Sequence, residues 1–492
     1  MEDYALFTRR IGLLAITNVL SGLSSLIVLA ILTRTLTVAQ YGRWSLILVT
    51  VTLIPMLTTL GLTYAMVRFL PVANEQDTRE IFYSILSVIA CVSAITAAVL
   101  CLLAPQIAQS LFQSDLTIAL LFALNIFFAS VSAVLLDFFR AREQTMKYCI
   151  LSILRAYLVV AFVAILAFLG YGLQGAVTGL LLGQLFGFTL MSYLILREIG
   201  FALPKFVHLR EHIALSLPLV PGGLSTWIVD SSDRYLIGIL LGVVAVGYYS
   251  PAYTLGSAIG LISAPFTLML PAVLSRNYDE NRIGDVKMIM KYSLKYFSGI
   301  AIPSIFIVSV LSKALLGIFS TPQIAANAYF VTPFVAAGTL LQGATGVFVV
   351  VLMLRKETSA TGTIWIISAA LNFGLNLALI PYLGILGAAL TTLLAYLCAF
   401  VLITVYSRRH FTFDLNGGFV LKSVCASVVV SLLLFFWNPT RIPALLLSIV
   451  VSAAMYLFIL LFLKGFTLQE VRFFYNVLKP PRETSSSEPD DS

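Results

Sequence analysis

The sequence predicts an all-α polytopic membrane protein of about fourteen transmembrane helices, and three observations predict it. First, of 492 residues 60% are hydrophobic and only 11% charged, with a mean hydropathy of +1.00. A soluble chain carries about 25% charged residues, so this one lacks the charge to cover the roughly three soluble domains its length would suggest. Second, apolar runs of about bilayer length recur between charged or Pro/Gly-rich breaks. Third, basic residues alternate from one inter-run segment to the next, as a threaded membrane protein requires.

The apolar runs fall at about 11–33, 44–67, 81–104, 116–139, 148–169, 172–196, 212–232, 247–274, 290–312, 326–353, 358–380, 383–406, 418–437 and 442–463. An even number places both termini on one side. With a cytoplasmic N-terminus, 24 of the 30 Lys and Arg residues fall in cytoplasmic segments, five fall outside, and Arg155 lies within a span. This predicts a multi-pass protein of the cell membrane with both termini cytoplasmic. The net charge of +8 then belongs to cytoplasmic loops, and no nucleic-acid partner is expected. Met1–Arg10 does not resemble a separate cleavable signal, because the apolar run after it is long enough to stay in the bilayer. The Pro/Ser/acid-rich tail Lys479–Ser492 is expected to be disordered.

The chain also repeats itself. Gly22-Leu23-Ser24 matches Gly223-Leu224-Ser225, and Leu36, Val38, Gly42, Trp44 and Ser45 match Leu241, Val243, Gly247, Tyr249 and Ser250. Arg142-Glu143 matches Lys356-Glu357, and Leu169-Gly170 with Gly175-Ala176 matches Leu383-Gly384 with Gly387-Ala388. The matches keep their order and each links span n to span n+6. They predict two parallel-repeat six-helix lobes, residues 1–200 and 201–410, then two appended helices within 411–465 and a cytoplasmic tail, 466–492. In transporters built from repeats, substrate binds where the repeats meet.

Little in the chain points to bond-making chemistry. The five cysteines form no CxxC pair, no His/Glu cluster has metal-ligand spacing, and no Gly-rich phosphate loop occurs, so neither a metal nor a cofactor is expected. Arg155 stands out. It lies eight positions past Lys147, roughly 12 Å deeper, and a central arginine costs about 2.5–3.5 kcal/mol on insertion scales. It is paired with Asp137, snorkels to the inner headgroups, or serves as a cavity cation whose planar guanidinium suits a phosphate. Asn18, in the first span, is a candidate cavity donor or interhelical bond. Arg34 and Arg43 frame the first outer loop, against a background where outer loops are nearly free of basic residues. Pro218 and Pro221, with Gly222-Gly223 between them and the rest of the span, predict either a discontinuous helix that bends during transport or a static kink. Asp230, Asp233 and Arg234 read as a solvated outer rim or a charged gate, Asp230 and Arg234 being placed to pair at i, i+4. No carboxylate lies within span 1.

Three stretches then carry a family resemblance: Leu32-Thr33-Arg34-Thr35-Leu36 with Tyr41-Gly42, Leu60-Gly61-Leu62 and Arg68-Phe69; Asp233 to Gly238 with Val246 to Ser250; and Tyr382-Leu383-Gly384 with Gly387-Ala388-Ala389. Through them the chain resembles the polysaccharide or O-antigen flippases of the multidrug/oligosaccharidyl-lipid/polysaccharide exporter superfamily. The resemblance implies two six-helix bundles in a V around a central cavity. It also implies transfer of a polyprenyl-pyrophosphate-linked oligosaccharide to the outer leaflet by alternating access, without covalent chemistry, for lipopolysaccharide or other surface glycans. A polysaccharide polymerase and glycosyltransferases would be partners. Arg34, Arg68 and Arg234 match the family's stretches, so Arg34 and Arg68 join Arg155 as candidate substrate contacts. The alternatives are a cation-coupled multidrug and toxin extrusion antiporter, a lipid II flippase, and a membrane-embedded glycosyltransferase or polymerase. The antiporter calls for a buried acid in the first lobe, where Asp137 is the sole candidate.

Overall fold

The computed structural model describes residues 2–112, 114–410, 412, 414–437, 439, 442–466 and 470, and among these it contains helices and turns but no strand. The Lys479–Ser492 tail lies outside the described residues. Thirteen helices are long and apolar enough to cross a membrane, or fourteen when one pair bent by 48° counts as a single span. Spans 1 to 7 are Gly12–Thr35, Val38–Thr58, Glu75–Leu102, Leu116–Ala141, Thr145–Phe168, Gly172–Ile199 and Leu209–Leu240. Span 8 is the bent pair Val243–Ser257 and Gly260–Asp279. Spans 9 to 14 are Ile283–Val310, Val331–Leu354, Thr358–Leu383, Ile385–Arg408, Gly417–Trp437 and Ile442–Phe462.

Capping sets several boundaries that hydropathy misplaces. Span 2 starts at Val38, six residues before the apolar run expected at 44, because Thr37 and Gln40 form a reciprocal capping box. It also stops at Thr58 rather than running to 67. Leu60 and Gly61 take φ of 51° and 70°, and a separate helix, Leu62–Phe69, follows. A Cβ at Gly61 would lie 2.7 Å from the Ser216 carbonyl oxygen, so the start of span 7 occupies the space a side chain would need. Span 3 starts at Glu75 because Asn74 accepts from the Asp77 amide at 2.8 Å.

In lipid, close backbone approach and interhelical hydrogen bonds replace hydrophobic burial as the main packing device. Span 6 shows this with Gly179, Gly183 and Gly187, one turn apart on a single face. Added Cβ atoms would lie 2.6 Å from Val163 N, 2.5 Å from Val159 Cγ2 and 3.2 Å from Arg155 Cγ. Span 6 therefore lies directly on span 5 and supports the Arg155 stem. Repeat-related positions serve alike: Gly175 packs on Leu166 of the preceding span and Gly387 on Leu379. At the turns after spans 4 and 10 the left-handed residues are Glu143 and Lys356. The backbone thus equates Glu143 with Lys356, one residue off the sequence match of Arg142 with Lys356.

Spans 1, 5, 6 and 4 pack in succession, as do spans 7, 11, 12 and 10, while span 13 packs on span 9 and span 14 on span 13. The two halves meet where span 2 packs on spans 7 and 8 and span 1 on span 8. That contact joins equivalent residues of the repeat. A Cβ on Gly42 would lie 2.1 Å from the Val243 carbonyl oxygen, and one on Gly247 would lie 2.0 Å from that of Val38. Ser45 and Ser250 share a hydrogen bond of 2.6 Å, beside buried Trp44 and Tyr249. Lys295, one of the 24 basic residues counted as cytoplasmic in the sequence, is buried in span 9. Its ammonium binds both Glu470 oxygens at 2.7 and 2.9 Å between the Phe419 and Phe466 rings, tying span 9 to the segment after span 14.

Candidate functional site

Spans 1, 2, 4, 5 and 6 line an open cavity of about 690 Å³, to which the second half of the chain adds only Thr254 among the described residues. Span 1 supplies Thr17, Asn18, Ser21, Ser24 and Ser25, whose spacing of three to four residues puts them on one helix face. Span 5 supplies Tyr148, Ser152 and Arg155 at i, i+4 and i+7, and span 6 supplies Gln184. Among the described residues no carboxylate lines this cavity. The remaining lining is mostly apolar, including Val28, Leu48 and Val51.

Arg155 is the one cation in the lining among the described residues. Among the described residues no carboxylate lies within ion-pair distance of it. Asp137, the partner suggested by sequence, instead pairs with Arg140 one turn along its own span at 3.1 Å. A guanidinium in such a cavity can bind an anion, and low polarity there strengthens a charge-assisted bond. Ser152 Oγ and Gln184 Oε1 are buried without a hydrogen-bond partner. Asn18 is exposed to the cavity.

Arg34 and Arg68 do not join this lining. The Arg34 guanidinium donates to the Ile318 carbonyl, a contact between the end of span 1 and the second half of the chain. Arg68 is exposed on the helix Leu62–Phe69, 5.9 Å from the Phe69 ring centroid. Both were expected in the cavity from sequence. They are held elsewhere because span 1 ends at Thr35 against the 312–319 helix and span 2 breaks at Gly61.

Pro218 lies in a 3₁₀ turn, Leu217–Leu219, that interrupts span 7, and Pro221 occupies the first turn of the helix that resumes at Val220. Each proline sits where a helix lacks an amide bond anyway, so the break costs little. A Cβ on Gly223 would lie 3.4 Å from Met56 Sδ of span 2, which places the break beside the other half.

Asp230, Asp233 and Arg234 form no solvated rim. Asp233 is fully buried and Arg234 is 8% exposed. The expected Asp230–Arg234 side-chain pair is absent: Arg234 Nη1 pairs with Asp233 Oδ1 at 3.2 Å and donates to the Asp230 carbonyl at 2.7 Å. Its guanidinium also lies 3.9 Å over the Tyr253 ring. Asp233 accepts from Tyr249 and Asp230 from Tyr396. Beside them a second chain of hydrogen bonds links Ser232, Asn372, Asn376 and Thr391. Together the two sets join spans 7, 8, 11 and 12. A charged triplet at a span end gave no sign of its partners, because Tyr249 and Tyr396 come from two other spans. The hydroxyl stripe of span 1 was also passed over, although its spacing was visible in the sequence.

Thirteen or fourteen helices among the described residues, long and apolar enough to cross a membrane, define a multi-pass membrane protein. Residues 7–273, more than half of the chain, match the family described as polysaccharide biosynthesis protein, and the chain belongs to that family. The probable low-salt glycan biosynthesis flippase Agl15 of Haloferax volcanii is 24% identical over 193 residues, covering 39% of this chain and 41% of that protein. The chain thus matches less than half the length of that curated relative. Among solved structures, the lipid II flippase MurJ in an inward closed conformation matches with a TM-score of 0.74 at 14% identity, over 94% of this chain and 99% of that one. An inward-facing multidrug resistance MATE transporter of the MOP superfamily matches with 0.62 at 13% identity, over 80% and 93%. These structural likenesses establish the fold.

Proposed function

We propose that this protein flips a polyprenyl-pyrophosphate-linked oligosaccharide from the cytoplasmic to the outer leaflet of the cell membrane, with both termini cytoplasmic. The observation that carries the reading is the cavity itself: among the described residues its lining holds one guanidinium, Arg155, with no ion-pair partner, beside hydroxyl and amide groups and no carboxylate. A pyrophosphate needs a cation and hydrogen-bond donors, and sugars need donors and acceptors. Cationic drugs need acids, which this lining lacks. The flippase names of the Haloferax relative and of MurJ support the same reading.

In this account residues 1–200 and 201–410 act as lobes that rock about the substrate. Spans 2 and 8 close the outer side at Gly42 and Gly247, and the Pro218–Pro221 break lets span 7 bend. Asp230, Asp233 and Arg234 hold the second lobe rigid during that motion. A glycosyltransferase supplies the substrate and a polymerase consumes it.

The reading is tested by mass spectrometry of lipid-linked glycans in cells lacking the protein. Accumulation of the complete lipid-linked glycan supports it. An unchanged glycolipid pool together with greater retention of cationic drugs would overturn it in favour of an extrusion antiporter. Arg155→Ala is expected to lower glycan export about 10- to 100-fold at normal membrane levels, the equivalent of a lost charged hydrogen bond of roughly 1.5–3 kcal/mol. Arg155→Lys keeps the charge without the planar fork and falls between the two.

A further inference from the structure

Gln184 lines the cavity and is 6% exposed, and its Oε1 is buried with no hydrogen-bond partner among the described residues. A rotation of the side-chain amide presents that oxygen to the cavity. A buried carbonyl oxygen left unpaired costs about 1–3 kcal/mol, so a site that keeps one is arranged to receive a donor. The position of Gln184 relative to Arg155 follows from the glycine stripe. Gly187 carries the Arg155 stem, while Gly183 faces Val159 and Gly179 faces Val163, so spans 5 and 6 run antiparallel in fixed register. Gln184 precedes Gly187 by three residues, which puts it one turn, about 4.5 Å along the axis, beyond the Arg155 contact. That offset is on the scale of the separation between a pyrophosphate and the sugar joined to it. Ser152, whose Oγ is also unpartnered, lies one turn to the other side of Arg155.

We infer that Gln184 is a specificity-determining residue that accepts a hydrogen bond from a hydroxyl or amide N–H of the sugar attached directly to the pyrophosphate held by Arg155. The inference rests on the flippase reading above. It divides the site by function: Arg155 takes the carrier pyrophosphate whatever it bears, and Gln184 distinguishes a glycosylated carrier from a bare one. A glycosylated carrier supplies the donor that the buried Gln184 oxygen lacks, and a bare carrier does not, which favours the former by one hydrogen bond.

The test measures binding of two probes to the purified full-length protein: a short-chain polyprenyl pyrophosphate, and the same carrier bearing one N-acetylhexosamine. The wild type is expected to prefer the glycosylated probe. Gln184→Leu is expected to lose roughly 3- to 10-fold of that preference, read as the ratio of the two affinities. Arg155→Ala weakens both probes together. Gln184→Glu retains an acceptor of the same shape, so it keeps the preference ratio even where its negative charge lowers both affinities. Where Gln184→Leu is not recovered as folded protein, Gln184→Ala gives the same readout. An unchanged ratio in the Leu or Ala variant overturns the role of Gln184 and leaves the flippase reading intact. Failure of the wild type to bind either probe overturns both.

Discussion

A protein carrying Ser45→Cys and Ser250→Cys, in a background without the five native cysteines, is expected to lose export completely on oxidation and recover it on reduction. The two hydroxyls are 2.6 Å apart, so the paired cysteines stand within reach of a bond of about 2.05 Å. The neighbouring backbones have no room between them, since Gly42 and Gly247 each lie against a carbonyl of the other span. Residues at equivalent repeat positions meet here, which is the arrangement expected where two related halves turn about a common axis. Under alternating access spans 2 and 8 must part at this point to release substrate outward, and a covalent link prevents it. Gly42→Leu would act in the opposite sense by holding the contact open. Full export by a quantitatively crosslinked protein would show that spans 2 and 8 need not separate.

The second large effect is on stability. Arg234→Ala is expected to cost about 3–5 kcal/mol, because it leaves the fully buried Asp233 without its partner. The same change removes the guanidinium from the Tyr253 face and from the Asp230 carbonyl. Thermal unfolding of the detergent-purified variant measures this. The double variant Arg234→Ala with Asp233→Ala is expected to recover much of the loss, since the stranded charge goes with it. An Arg234→Ala protein as stable as the wild type would mean that water or lipid headgroups reach Asp233.

The parts of this structure legible in the sequence are those fixed by composition along one helix. Span number followed from apolar length, and the repeat followed from short ordered matches that prove to be packing glycines and left-handed turns. Arg155 stood out because a charge in a span is costly, and it does face a cavity. Other features depend on partners far away in the chain. Lys295 looked like a cytoplasmic cation because Glu470 is 175 residues away. Arg34 looked like a ligand contact, whereas its partner is a backbone carbonyl 284 residues on, invisible to any side-chain pattern. The break in span 2 was hidden within an apolar run, and only the approach of Ser216 explains why Gly61 is needed there. Hydroxyls were the weakest signal, because serine and threonine within a span satisfy themselves on the preceding turn, as Thr17 does at 2.8 Å, whether or not they face a cavity.

The central claim, that this chain carries a lipid-linked pyrophosphate glycan across the bilayer through the Arg155 cavity, is tested most directly in liposomes containing only the purified protein and such a glycolipid. Its exposure to an impermeant sugar-modifying reagent is followed over time. The account predicts that wild-type protein brings the inner-leaflet pool to the reagent, that Arg155→Ala slows this about 10- to 100-fold, and that oxidised Ser45→Cys/Ser250→Cys stops it. An inner-leaflet pool as protected with the wild-type protein as in empty liposomes would contradict the account.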